Sequence, residues 1–144
     1  MKLGIFGSRS LTGKESYDFI EKEIKEFHAE NKIDFILLPG DIKGATDSAL
    51  KISKRLLIPV TLYFYDKQVS AGKWKMIKSI KERTSALIKE ADFFLLFHDG
   101  KSKGTLWDLK QIEKAKKQYR FFVVEEVNEF DLTIDDDWVD IHWT

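Results

Sequence analysis

Three short glycine-bearing segments of this 144-residue chain gather residue types that could hold an anion. The first is Gly7-Ser8-Arg9-Ser10. A glycine lets backbone amides approach a ligand, the hydroxyls donate or accept, and arginine offers a bidentate fork for phosphate. The second is Pro39-Gly40-Asp41-Ile42-Lys43-Gly44-Ala45-Thr46-Asp47. There Gly40 and Gly44 could line a phosphate or ribose, and Asp41 and Asp47 could bond sugar hydroxyls. The third is His98-Asp99-Gly100-Lys101-Ser102-Lys103-Gly104-Thr105, which runs straight into a helical pattern. Unpaired N–H groups and the dipole at a helix start favour an anion. Each segment also has a purely structural explanation. The first reads equally as a strand-to-helix turn with a surface arginine. The second reads as a turn with Asp47 in a first helical turn, where the dipole favours it. In the third, Thr105 as N-cap with Asp108 three residues on makes a capping pair. Neither the G-x-G-x-x-G fingerprint nor the order of a Walker A loop is present.

Other chemistries find less support. The chain has no cysteine, which excludes a disulfide framework, a thiolate zinc site and a cysteine nucleophile, and fits a reducing, cytoplasmic setting. His28, His98 and His142 are far apart and lack metal-ligand spacing, so no metal and no cofactor are expected. His28 reads as a solvated helix residue, and His98 as a strand end beside the third segment. Asp135-Asp136-Asp137 reads as an acidic turn, because three consecutive carboxylates cannot all converge on one ion. Trp107 could stack on a base or pack in a core or dimer contact. Trp74 lies in a stretch with Lys67, Lys73, Lys75, Lys78, Lys81 and Arg83, a composition that could suit single-stranded nucleic acid or simply one amphipathic helix.

The elements that must position these loops are legible as periodicity. Apolar runs at Leu3–Phe6, Ile33–Leu38, Pro59–Phe64, Phe93–Phe97 and Phe121–Val124 are short and apolar on both faces, as buried parallel strands are. Between them come residues at helical spacing: Tyr17, Ile20, Ile24 and Phe27; Ala45, Ala49, Ile52 and Leu56; Ile77, Ile80, Thr84, Leu87 and Ala91; Leu106, Leu109, Ile112 and Ala115. Thr12-Gly13-Lys14-Glu15 predicts a capping box for the first helix. Alternating strands and helices with short connections predict an α/β, Rossmann-like three-layer sandwich, with a mainly parallel five-stranded sheet and helices on both faces. In such sheets ligands bind beyond the carboxyl ends of the strands, where strand order reverses.

Size and charge complete the outline. The length suits one domain, and 43% hydrophobic with 33% charged residues suits a globular chain rather than a disordered one. No apolar run is long enough to cross a membrane as a helix. Lys and Arg number 24, as do Asp and Glu. Eight of the acids lie in residues 125–144, which hold no Lys or Arg, so residues 1–124 carry a surplus of eight positive charges. A basic body attracts phosphates, although a lysine-rich solvated surface is the commoner cause. The division expected is 1–124 as the binding domain and 125–144 as an acidic extension. Its alternation around Asp135–Asp137 predicts two short strands, and its tryptophans predict packing on the body or on a partner subunit.

Taken in order, Gly7-Ser8-Arg9, then Gly40-x3-Gly44-Ala45-x-Asp47, then Arg83, then Asp99-Gly100-Lys101-Ser102-Lys103-Gly104-Thr105 resemble the SLOG superfamily. The chain is most similar to its YspA-like group of small stand-alone proteins. The resemblance covers about residues 1–124. It implies a nucleotide or nucleotide-derived ligand at the strand carboxyl ends, with phosphate cradled by the glycine-rich loops. It also implies a homodimer, as in LOG-type relatives. In LOG-type phosphoribohydrolases, which split a nucleoside monophosphate into base and ribose 5-phosphate, an arginine precedes the fourth strand and G-T-x-x-E opens the next helix. Arg83 and Asp108 stand at the similar positions, with aspartate for glutamate, and would carry catalysis. Three readings therefore stay open: a nucleotide-binding module, an N-glycosidase, or a DprA-like single-stranded nucleic-acid binder.

Overall fold

A computed structural model describes residues 1–64 and 73–125, the side chains of 73–79 excepted. The expected strands of the acidic extension, the Asp135–Asp137 turn, His142 and the side chain of Trp74 lie outside the described residues.

Among the described residues five strands and four helices alternate: β1 (Lys2–Gly7), α1 (Lys14–Asn31), β2 (Phe35–Pro39), α2 (Ala45–Arg55), β3 (Val60–Tyr63), α3 (Lys73–Glu90), β4 (Phe93–His98), α4 (Lys103–Lys114) and β5 (Gln118–Val123). All neighbouring strands are parallel, in the order β3-β2-β1-β4-β5. The β1–β4 register runs from Leu3 opposite Phe93 to Gly7 opposite Phe97. Strand order therefore reverses between β1 and β4.

The period of two explains the layers. In β1, Leu3 and Ile5 face one side with Ile36 and Leu38 of β2 and Leu95 and Phe97 of β4. These pack on Ile20, Ile24 and Phe27 of α1 and on Ala45, Ala49 and Ile52 of α2. Phe6, Leu37, Phe94 and Leu96 face the other way, onto Leu87 and Ile88 at the end of α3, Ala91 just after it, and Ile112 of α4. Each such buried leucine, isoleucine or phenylalanine stabilises the fold by about 1.5–3 kcal/mol before entropy is counted. Aromatic rings join the layers: Phe97 stacks on Phe122 of β5 at 5.4 Å and meets Phe19 of α1 edge-on at 6.2 Å.

Local details depart from the sequence expectations at the helix ends. The N-cap of α1 is Gly13, extended and without a side-chain cap bond, so Thr12 does not open a capping box. His28 is half-buried rather than fully solvated, and its Nδ1 accepts the Ile33 N–H at 2.9 Å where α1 stops. Along α4 the buried positions are Thr105 and Ile112, while Leu106 is exposed. Of the expected face, Ile112 and Leu109 pack on the core, while Leu106 and Ala115 are exposed and Thr105 is buried beside Ser8.

Candidate functional site

The carboxyl ends of β1, β2 and β4 deliver all three glycine-bearing segments to one end of the sheet. Between them lies a cleft of about 610 Å³. Its floor holds the end of β1, including Phe6 and Gly7, and one wall is built by Ser102, Gly104, Thr105, Trp107 and Asp108 at the start of α4. Ile80 and Arg83 of α3 close another side.

The first loop leaves β1 under tight constraint. A Cβ on Gly7 would collide with the Cβ of Ala45 at the start of α2. Ser8 is buried, with its N–H bonded to Phe97 O (2.9 Å) and its carbonyl accepting from Ala45 N–H (3.2 Å). Its hydroxyl oxygen accepts the Asp99 N–H at 3.1 Å and lies 3.3 Å from the Thr105 hydroxyl. Ser8 therefore joins all three segments from beneath. Gly44 has φ +59°, and an added Cβ would lie 2.5 Å from the carbonyl oxygens of Ser8 and Arg9. Its glycine character serves the close approach of two loops.

The third loop is organised by Asp99 and His98. Asp99 Oδ1 accepts the Lys101 and Ser102 N–H groups at 2.8 and 2.7 Å, and Oδ2 accepts the Ser10 hydroxyl at 2.6 Å. Burial opposes ionisation of this carboxyl, but those three hydrogen bonds overcome it and hold its pKa well below the ordinary value. His98 Nδ1 accepts the Gly100 N–H (3.1 Å) and Nε2 faces Ser102 O (2.9 Å). Those two contacts require the neutral imidazole with its proton on Nε2. Gly100, at φ +87°, makes the turn between them.

Helix α4 begins at Lys103 with Ser102 as N-cap, and no side chain caps it. Thr105 is thus inside the helix, not at its cap, and the Thr105–Asp108 capping pair does not form. The N–H groups of the first turn are left for water or a ligand. Among the described residues, four cations (Arg9, Lys43, Arg83, Lys101) and three carboxyls (Asp41, Asp99, Asp108) line the cleft.

Arg83 and Asp41 form the polar centre. Arg83 is nearly buried, its side chain 8% exposed, and its Nη1 donates to Asp41 Oδ1 at 2.6 Å. Arg9, 68% exposed, donates from Nη2 to Asp41 Oδ2 at 2.8 Å. Asp108 belongs to the same group. Burial pushes its carboxyl up to about 7; the Arg83 guanidinium pulls the other way and the Asp41 carboxylate adds to the rise.

Of the residues singled out from sequence, Gly7, Arg9, Asp41, Arg83, Asp99, Lys101, Ser102, Gly104, Thr105 and Asp108 come together around the cleft. Ser8, Gly44 and Gly100 shape the loops behind it. Gly40 lies beneath the ring of Phe64. Asp47 stands apart, paired with Lys51 on the surface of α2 at 2.9 Å, and Lys103 is an exposed residue outside the lining. Lys43, Thr46 and Ile80 line the cleft without having been singled out as binders. The Thr46 hydroxyl turns back to Lys43, bonding its N–H and carbonyl at 3.0 Å. Nothing in residue type alone separates such a local contact from a ligand contact.

No family model matches the chain, and no curated protein matches it. Among solved structures, a molybdenum cofactor carrier protein from Chlamydomonas reinhardtii is similar, with a TM-score of 0.58 at 12% identity. The match covers 83% of this chain and 75% of that one. The fold is Rossmann-like. At 12% identity the likeness speaks for the fold alone. In a Rossmann-like sheet the β1/β4 reversal is the usual place for a ligand, and the cleft lies there. Among the described residues no cluster of metal-ligating side chains occurs, and no helix is long and apolar enough to cross a membrane.

Proposed function

We propose that this chain binds a nucleotide or nucleotide-derived ligand at the carboxyl ends of its parallel strands, with phosphate at the glycine-rich loops. The observation that carries the reading is the cleft at the β1/β4 reversal, where an uncapped α4 start shares one space with the Arg9–Asp41–Arg83 cluster. The helix start suits an anion, the exposed Arg9 can turn to one, and Trp107 and Ile80 offer apolar surface to a ring. The solved neighbour is named as a carrier of the molybdenum cofactor, so that cofactor belongs in the ligand panel beside nucleotides.

Isothermal titration with AMP, other nucleoside monophosphates, cyclic derivatives and the molybdenum cofactor tests the reading. A micromolar Kd is expected for at least one. Arg9→Met is expected to weaken that binding roughly tenfold or more, as loss of a charge-assisted bond does. Absence of binding by the whole panel would overturn the proposal.

One observation favours a second reading on the same site. Asp108 is a carboxyl raised to about 7 beside a nearly buried arginine, a combination found at catalytic centres. In an N-glycosidase, ionised Asp108 would stabilise positive charge developing at the ribose C1′ as the bond to the base breaks and water adds, while Arg83 holds the sugar phosphate. Chromatography of AMP incubated with the protein distinguishes the two. Base and ribose 5-phosphate released by the natural chain, and not by Asp108→Asn, would establish turnover; no release leaves a binding module.

A further inference from the structure

Each oxygen of Asp41 accepts one guanidinium, Oδ1 from Arg83 at 2.6 Å and Oδ2 from Arg9 at 2.8 Å. The two arginines come from separate elements, α3 and the β1–α1 loop. The carboxylate therefore cannot rotate without breaking an ion pair. An ionised carboxylate has about four acceptor sites, so these bonds leave roughly one on each oxygen. Asp41 lines the cleft and is 29% exposed, so its remaining acceptor capacity is open to a ligand.

The other carboxylates of the three segments are engaged differently. Asp99 receives three donors from its own loops, and Asp47 is tied to Lys51 outside the cleft. Asp41 alone among these three combines cleft exposure, a fixed plane and acceptor capacity on both oxygens. Two adjacent ring hydroxyls present two donors at a spacing that one carboxylate edge can accept, and bonds to an ionised acceptor are the strong kind.

We propose that Asp41 is a specificity-determining residue that reads a vicinal diol, so that the cleft takes a phosphorylated ribose in preference to its 2-deoxyribose counterpart. This rests on the nucleotide reading above and sharpens it from nucleotides in general to ribonucleotides. Arg9 and Arg83 act here by fixing the carboxylate, and the discrimination arises because a deoxy sugar leaves one acceptor without a donor.

The test is titration of the full chain with AMP and dAMP, and with ribose 5-phosphate and 2-deoxyribose 5-phosphate. The ribo form of each pair is expected to bind roughly tenfold to a hundredfold more tightly. In Asp41→Asn that ratio is expected to fall to about twofold or less. Equal affinity for ribo and deoxy forms in the natural chain would overturn the diol proposal and leave the nucleotide reading standing. No binding of either nucleotide or either sugar phosphate would overturn both. A preserved ratio in folded Asp41→Asn would remove the role from Asp41. Should that variant fail to give a cooperative melt, Asp41→Glu displaces the carboxylate by one methylene, and an unchanged ratio there counts equally against the proposal.

Discussion

Asp41 and Asp108 share one cleft and one arginine, yet their surroundings treat them differently. Arg83 is bonded to Asp41 at 2.6 Å, whereas for Asp108 the cost of burial exceeds what the same guanidinium returns. A carboxyl whose pKa rises to about 7 on folding binds its proton more tightly in the folded state than in the unfolded one. Its contribution to stability is complete below the ordinary value of 3.8 and is lost as pH climbs through about 7. Asp108→Asn removes that dependence. The variant is expected to gain on the order of 2–4 kcal/mol on the natural chain at pH 8 relative to pH 4. Urea denaturation of both proteins at the two pH values measures this, and an unchanged difference would contradict it. Residue type marked Asp108 as a candidate, but nothing local announced its burial.

At the scale of elements, the site is made by loops whose backbones touch. Gly44 precedes α2 yet its Cα packs against the Ser8 and Arg9 carbonyls of the β1–α1 loop. Gly100 also has a positive φ, but a Cβ there would meet nothing within 4 Å. The two glycines thus separate conformational strain from steric collision. Gly100→Ala is expected to cost about 1 kcal/mol from strain alone, and Gly44→Ala about 2–4 kcal/mol, since strain and overlap add. Thermal or urea denaturation of the pair measures the difference. Equal destabilisation would show that the two loops can move apart. The sequence marked both glycines as ligand-facing, whereas the fold uses Gly44 to seat one loop on another. The same contrast holds for Asp99, whose carboxylate binds its own loop and Ser10.

Across the whole molecule, the central strands carry apolar residues on both faces, and each face has its own helical layer. Phe97 shows how the layers depend on each other. It is fully buried, ends the β1–β4 register opposite Gly7, stacks on Phe122 and meets Phe19 of α1. Its carbonyl also receives the Ser8 N–H that starts the first site loop. Phe97→Ala is expected to destabilise the protein by about 3–5 kcal/mol in urea denaturation, through lost burial and the cavity left behind. A cost below about 1 kcal/mol would mean that the aromatic layer closes around the gap.

The alternation of strand and helix, the two-sided burial of the strands and the three loops at their carboxyl ends were all readable from periodicity and composition. The cause is physical: a period of two or of 3.6 is a local property, set by which side chains can leave water along one element. Contacts between loops are not local. Asp41 meets Arg9 and Arg83, and Ser10 meets Asp99, only because β1 lies between β2 and β4. Competing local rules were also settled by packing. The sequence pointed to Thr105 as the cap of α4, whereas Ser102 takes that place and Thr105 lies inside the helix with its hydroxyl 3.3 Å from that of Ser8. The sequence by itself determined the elements and the end of the sheet where chemistry is placed. The tertiary structure decided which polar groups bind one another and which are left with capacity for a ligand, because hydrogen-bond partners depend on distance in space.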